Sequence, residues 1–195
     1  MAVAFLLLYR FDEAQLVKVV SPFLLDARDT GGLGMTTRQV GWAYGTCGVT
    51  ALICGGVLGG FLAARHGFRK VLPSMVCAMY LPKLVFLGLS LTQPTGFPTV
   101  CAGIALEQFG YGYGFTAFML FMLYFSAGIH RTAHYALCTG FMSLGMMLPG
   151  MWSGWLADHL GYRHFFIWVL FSAIPGLVLA LCLKVEPGFG RKAAL

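Results

Sequence analysis

The chain has 195 residues, of which 58% are hydrophobic and only 10% charged, and it carries a net charge of +6 and a mean hydropathy of +0.78. Soluble domains carry about 25% charged residues, so this composition excludes a soluble globular protein and predicts an all-α integral membrane protein. The apolar residues recur along the whole chain, which a single secretory signal does not explain. The basic residues are scattered among them, which argues against a nucleic-acid partner.

Six stretches are candidates for membrane-spanning helices, each of which needs about 20 mostly apolar residues. They lie at about 2–25, 40–64, 71–91, 99–127, 133–156 and 164–184. Residues typical of turns and membrane interfaces separate them, at 26–37, 65–70, 93–98 and around His130, Arg131 and His134. We interpret the two histidines as loop residues, because they lack the glutamate of a metalloprotease motif. The sequence predicts one transmembrane domain over residues 1–195.

An even number of spans places both termini on one side of the membrane, and the basic residues indicate which side. The connections on the side of the termini carry seven basic residues: Arg65, Arg69, Lys70, Arg131, Lys184, Arg191 and Lys192. Those on the other side carry three: Arg28, Arg38 and Arg163. Cytoplasmic connections are the richer in Lys and Arg, so we predict that both termini are cytoplasmic.

The first predicted span is unusual because it contains several charged side chains in YRFDEAQLVK. An ionised group in hydrocarbon costs about 2.5–3.5 kcal/mol or more, so these groups must pair or line water. At about 100° per residue, Arg10 and Glu13 lie close enough on one helix to pair, whereas Arg10 and Asp12 point apart. The broad polar arc favours a helix that borders a cavity on one side and packs against the bundle on the other.

Glu13 has a counterpart, Glu107, 94 residues later and also inside an apolar span. At about 1.5 Å per residue, both carboxylates fall near the middle of the bilayer. One interpretation is a purely structural charge network that includes Lys83. The other is that Glu13 or Glu107 binds and releases a proton during transport, because burial favours the neutral carboxyl and a nearby arginine favours the ionised one.

The same offset relates two similar phrases, GFLAARHGFRK at 60–70 and GWLADHLGYRH at 154–164. A duplication at this period predicts two three-helix units, approximately 1–92 and 98–186, which run in opposite directions across the membrane. The two phrases either stabilise a hairpin or act as a latch that changes with conformation. The residues assigned to this hairpin are Gly60, Arg65, Gly67, Arg69, Lys70, Gly154, Asp158, Gly161 and Arg163.

Enzymatic and metal-binding functions have little support in the sequence. Ser153 lacks the preceding glycine of an intramembrane serine protease, and the six cysteines have no CxxC spacing and fall in apolar stretches. We expect these cysteines to be small packing residues. The sequence predicts no enzyme, no cofactor and no metal site.

Several segments together resemble a known transporter family. The stretch from Glu107 through FGYGYGF to Phe141, followed by SGWLADHLGYRHFF, resembles the last three spans of AmpG-like muropeptide permeases, a branch of the major facilitator superfamily. The matching positions include 132–137, Gly154, Gly161 and 165–166. YRFDEAQL with Pro22-Phe23 is similar to the seventh span of that family, and residues 55–70 to the hairpin after the eighth.

The resemblance implies half of a major-facilitator fold and the proton-linked import of a small solute, a sugar–peptide fragment of the cell wall, across a bacterial inner membrane. Related branches carry acetyl-coenzyme A, so an acyl-coenzyme A or a sugar is an alternative substrate. In the superfamily the first helix of each triplet lines the central cavity. This carries over to a pathway of Arg10, Asp12, Glu13, Gln15, Lys18, Glu107, Gln108 and Tyr111.

The family has twelve spans, and this chain corresponds to its last six. The cavity of such a transporter lies between two halves, so a second six-helix half is the expected partner. The chain is then a fragment, one subunit of a split transporter, or a half that forms a homodimer. The alternative function is a membrane scaffold or truncated remnant that transports nothing.

Overall fold

The computed structural model describes residues 1–183, 185–186 and 189–190, and these residues form helices joined by short connections, with no strand among them. The predicted class, an all-α membrane protein, is confirmed. The predicted orientation depends on seven basic residues on the side of the termini. Three of the seven lie outside the described part of the chain: Lys184, Arg191 and Lys192.

Nine α-helices account for most of the described chain. They are α1 (Ala2–Leu8), α2 (Phe11–Leu25), α3 (Thr37–Gly41), α4 (Val49–His66), α5 (Phe68–Tyr80), α6 (Leu84–Thr92), α7 (Phe97–Phe125), α8 (Arg131–Ser172) and α9 (Ile174–Leu181). A π-helical segment, Trp42–Gly48, joins α3 to α4, and 3-10 turns lie at Arg28–Thr30 and Leu81–Lys83. His134 lies inside α8, so its interpretation as a loop residue was wrong.

Three continuous helical stretches of the described chain are long and apolar enough to cross a membrane: Thr37–His66, Phe68–Thr92 and Arg131–Leu181. The third joins the predicted fifth and sixth spans. Its backbone leaves the helical region at Gly161, where φ is 72° and ψ is 160°. Positive φ favours glycine, which has no Cβ to clash with the backbone. The count of six membrane-spanning helices stays a prediction.

The predicted first span is not one helix but two. Arg10 has φ −113° and ψ 17°, so α1 ends before it and α2 begins after it. This interruption changes the direction of the Arg10 side chain relative to Glu13, which the calculation for a continuous helix did not include.

Close helix packing depends on glycines at two crossings. Where α4 meets α7, a Cβ at Gly55 would collide with the Phe109 carbonyl, and one at Gly112 with the Leu52 carbonyl. Where α1 meets α8, a Cβ at Gly145 would lie 2.6 Å from the Leu7 carbonyl oxygen. Small residues let helix backbones approach in this way.

The buried charges lie between two apolar clusters. One cluster is centred on Phe5, Tyr9 and Phe118 and the other on Phe23, Phe86 and Phe166. On each of three segments the charged residue falls between a residue of the first cluster and a residue of the second: Asp12 and Glu13 between Tyr9 and Leu16, Lys83 between Tyr80 and Phe86, and Glu107 between Ile104 and Tyr113. Packing the apolar segments therefore brings the charged residues to one level of the bundle.

The connections at one end of the bundle are tied together by polar contacts. The Tyr162 hydroxyl, next to the Gly161 break, donates to the Asp26 carboxylate after α2. Burial and this carboxylate raise the pKa of Tyr162 above its ordinary value. Arg28 donates to the carbonyls of Gln93 at 2.8 Å and Pro94 at 2.9 Å, between α6 and α7. These contacts join the ends of α2 and α6 to the break at Gly161 inside α8.

Candidate functional site

A lysine paired with two carboxylates lies in the interior of the helix bundle. Lys83 Nζ is 2.5 Å from Asp12 Oδ2 and 3.3 Å from Glu13 Oε2. All three residues are at most 5% exposed. Lys83 ends the 3-10 turn between α5 and α6, which contains Pro82, and this turn interrupts the predicted third span at the level of the acids on α2.

The pairing is incomplete. Asp12 Oδ1 is buried and has no hydrogen-bond partner among the described residues, and Glu13 Oε2 has the lysine only at ion-pair distance. One ammonium therefore serves two carboxylates. Removing one member of a buried ion pair leaves an uncompensated charge in a medium of low dielectric constant, which is costly. This cost favours conformations in which Asp12 and Glu13 both stay near Lys83.

Glu107 is equally buried, at 3% exposure, but it has a different partner. Its Oε2 accepts a hydrogen bond of 2.8 Å from the amide of Gln108. In the described part of the chain no Lys or Arg lies within ion-pair distance of Glu107. This acid is thus near a neutral donor where Glu13 is near a cation.

Glu13 and Glu107 line the same cavity, which has a volume of about 150 Å³. The cavity lies beside α2 and α7 and also reaches Gln108 and Tyr44. Its other lining residues are Leu16, Val17, Val20, Ser21 and Phe86. The structure therefore brings together the two acids that are 94 residues apart. The predicted arrangement of α2, with a cavity on one side and the bundle on the other, is also present.

Tyr44 belongs to the π-helical segment Trp42–Gly48, where each turn of helix contains an additional residue. Such segments often occur at functional sites because they displace side chains from the regular helical positions. Here a tyrosine from the predicted second span faces the same cavity as both acids. The sequence carried no signal for it, since π-helical geometry has no residue pattern of its own.

Arg10 does not pair with Glu13, so the pairing within one helix was wrong. It lies at the interruption between α1 and α2, and its Nη2 donates to the Tyr111 hydroxyl at 2.5 Å. The guanidinium carbon is 4.8 Å from the centre of the Phe115 ring. Arg10 and Tyr111 are therefore in contact, which joins α7 to the break between α1 and α2.

Gln15 and Lys18 are also predicted pathway residues, and neither lines the cavity. Gln15 donates to the Ser172 hydroxyl at 3.4 Å and accepts from the Trp168 indole at 2.8 Å, so it joins α2 to α8. Lys18 is exposed and lies against α8 near Gly150. Lys83 is an intramembrane charge in the sequence but not one of the predicted pathway residues, although it is the cation that both acids on α2 contact.

The two hairpin phrases share a backbone feature. Gly67 has φ 87° between α4 and α5, and Gly161 has φ 72° inside α8. The charged residues around them, Arg65, Arg69, Lys70, Asp158 and Arg163, are exposed and form no ion pair within the described chain. Gly60 and Gly154 have open space where a Cβ would lie, so neither glycine is required for a close helix contact.

Among the described residues no group of three or more His, Cys, Asp and Glu side chains could hold a metal ion. The arrangement provides instead a buried cation shared by two acids, a third acid without a cation, and a cavity that reaches two of the acids. These groups can exchange a proton and contact a polar solute.

Comparison with known proteins finds one matching family and several similar named proteins. The sequence model of the Major Facilitator Superfamily matches residues 6–194. The chain is 28% identical over 181 residues to a Rickettsia prowazekii protein named AmpG 2, covering 93% of the chain and 43% of that protein. It is 24% identical over 176 residues to the anhydromuropeptide permease of Escherichia coli, covering 90% of the chain and 35% of the permease. The chain thus spans less than half the length of these curated relatives.

Proposed function

The chain belongs to the Major Facilitator Superfamily, and from this premise we propose that it forms one six-helix half of a proton-linked solute transporter. Membership in this superfamily indicates a transporter and not an enzyme. It also indicates an integral membrane protein, for which we propose the inner membrane. The observation that carries the proposal is the common cavity of Glu13 and Glu107, two acids at equivalent places in the predicted repeat.

Two further features support a pair of inverted triplets. The first is the positive φ of both Gly67 and Gly161, at the same 94-residue offset as the acids. The second is that α2 packs on α8, which contains most of the predicted fifth and sixth spans, while α7 packs on α4 and α5, from the predicted second and third. If the repeat exchanges the first span with the fourth, the second with the fifth and the third with the sixth, each set of contacts becomes the other. An inverted duplication produces this exchange of partners.

The proposed orientation places both termini and the 65–70 hairpin in the cytoplasm. The argument is the excess of Lys and Arg on that side. Alkaline phosphatase fused after residue 68 would be inactive in this orientation, whereas the same enzyme fused after residue 95 would be active. The opposite pattern would reverse the assignment.

The proton site of the proposal is Glu107, working with Glu13. Lys83 compensates part of the charge on Asp12 and Glu13, and it leaves Glu107 with an amide. Three ionised carboxylates beside one ammonium would leave excess negative charge in a buried place, which is unfavourable. A proton on Glu107 reduces this excess, and a movement that opens the cavity to one side of the membrane would exchange that proton.

The proposed substrate class is a muropeptide, a sugar–peptide conjugate. Its support is the name of the Escherichia coli relative, an anhydromuropeptide permease. The cavity of about 150 Å³ is too small for such a solute, and we propose that a second six-helix half supplies the rest of the site. A fragment of a longer chain, a separate subunit and a second copy are the three possible sources of that half.

Uptake measurements test the proposal. The protein with its second half is expressed in inner membranes, and uptake of a labelled anhydromuropeptide is measured at several external pH values, with acyl-coenzyme A and a free sugar as competitors. We expect uptake to rise with an inward proton gradient, and Glu13→Gln with Glu107→Gln to abolish this dependence. Coupling that survives the double substitution excludes the proton site. A correctly inserted protein without any uptake favours the scaffold.

A further inference from the structure

We propose that Arg10, positioned by Tyr111 and Phe115, binds a carboxylate of the transported solute. The inference rests on the proposed transport function and specifies the chemistry of its substrate. It also separates two tasks, since Arg10 would recognise the solute while Glu107 exchanges the proton.

The aromatic contacts fix the position of the guanidinium without neutralising its charge. Arg10 Nη2 donates to the Tyr111 hydroxyl at 2.5 Å, and the guanidinium carbon lies 4.8 Å from the Phe115 ring centre and 5.5 Å from that of Tyr111. Arginine stacks on aromatic faces in this way and keeps its planar set of N–H donors available. A fixed plane with free donors fits the geometry of a carboxylate.

Arg10 lacks a counterion in the described part of the chain. Its Nε is buried and has no hydrogen-bond acceptor there, and no carboxylate lies within 4.0 Å of the guanidinium. Lys83 provides the contrast, because it contacts two carboxylates. A buried cationic donor without an acceptor is unfavourable, and a carboxylate from the solute would supply both the missing acceptor and the missing charge.

The position of Arg10 suits a solute that reaches the acid-lined cavity. Tyr111 lies one helical turn beyond Glu107 on α7, and Arg10 lies about one turn before Glu13. One turn of α-helix rises about 5.4 Å. A solute carboxylate on Arg10 would therefore lie next to the Glu13–Glu107 cavity without occupying it. Gln108, Tyr111 and Phe115 are all partly exposed along this face of α7, so the site is accessible.

A binding experiment with paired probes tests the inference. The whole protein in lipid nanodiscs is titrated with a sugar–peptide that has a free terminal carboxylate and with its carboxamide, which has the same shape without the charge. We expect the acid to bind at least about tenfold more tightly, as a charge-assisted bidentate contact implies. Arg10→Gln should remove this preference by weakening only the acid, and Arg10→Lys should retain part of it.

Two further variants separate recognition from general damage. Tyr111→Phe keeps the ring but removes the hydroxyl that holds Nη2, so the preference should fall without being lost. Arg38→Gln changes an exposed arginine on α3 and should leave both affinities unchanged. Thermal unfolding of each variant identifies any that fail to fold. The relative affinities of the acid and the carboxamide for the wild type and for the Arg10→Lys variant then decide the question.

Each outcome decides for or against the carboxylate site. Equal binding of acid and carboxamide overturns it, as does a preference that survives Arg10→Gln or the absence of binding by both probes. Uptake that depends on pH but not on the carboxylate overturns the site and leaves the proposed function intact. A preference that disappears in Arg10→Gln, in a protein without uptake, supports the site and removes the proposed function.

Discussion

The leading helices of the two predicted triplets carry equivalent acids in different surroundings. The first is divided into α1 and α2, with Arg10 at the break and Glu13 held near Lys83. The second, α7, is continuous from Phe97 to Phe125, and its Glu107 accepts a hydrogen bond from the neighbouring amide of Gln108, with no Lys or Arg at ion-pair distance among the described residues. One acid is fixed by a cation and the other is not, which teaches that equivalent positions in a repeat need not have equivalent roles.

The two leading helices also achieve close packing differently. Helix α7 contains its own glycines, so that Gly112 lies against α4 and Gly110 against the carbonyl of Ala78 on α5. The segment α1–α2 contains no glycine and is approached by Gly145 of α8 and Gly176 of α9. The charged helix thus receives small residues from its neighbours, while the helix with a single acid supplies them.

The largest effect is expected from removing the cation that distinguishes Glu13 from Glu107. Lys83→Met leaves Asp12 and Glu13 buried without a partner, which should lower the free energy of unfolding by about 3–5 kcal/mol. The measurement is unfolding of the purified protein by SDS titration in mixed micelles.

Adding Asp12→Asn to Lys83→Met should restore a substantial part of this loss, because it removes one of the uncompensated charges. Lys18→Met is the control, since Lys18 is exposed on the same helix as the acids and should change stability little. A Lys83→Met protein as stable as wild type would contradict a buried ion pair.

A smaller effect is expected where α7 supplies the glycine. A methyl group at Gly112 would collide with the Leu52 carbonyl on α4, so Gly112→Ala should cost about 1–3 kcal/mol of stability as the helices separate. Gly60→Ala on α4 is the matched control, because its Cβ would meet open space and alanine favours a helix. Equal stability of the two variants would show that the α4–α7 contact is looser than described.

The smallest change in stability separates the two acids directly. Glu13→Gln removes one of the two carboxylates near Lys83 and should cost about 1 kcal/mol. Glu107→Gln should leave stability nearly unchanged, since an amide replaces an acid that already faces an amide. The effects on transport should have the opposite order: the pH dependence of uptake should be lost in Glu107→Gln and largely kept in Glu13→Gln. Equal effects of both variants on pH dependence would indicate two interchangeable proton sites.

The sequence predicted the acids of the site better than their partners. The 94-residue offset paired Glu13 with Glu107, and both line one cavity. The predicted pairing of Arg10 with Glu13 was wrong because it requires a continuous helix, whereas α2 begins only at Phe11. Gln15 and Lys18 were assigned to the pathway with the whole helix, but their side chains face α8 or the exterior.

By itself, the sequence determined the class of protein and the cost of its intramembrane charges, because both follow from composition and from the free energy of transferring residues into hydrocarbon. The internal 94-residue offset also paired Glu13 with Glu107, which line one cavity. Only the tertiary structure decided that Lys83 contacts Asp12 and Glu13, 71 positions away from Asp12 in the chain, while Arg10 contacts Tyr111. Helical periodicity fixes which side chains share a face of one helix, but contacts between helices depend on how the faces pack and where a helix is interrupted.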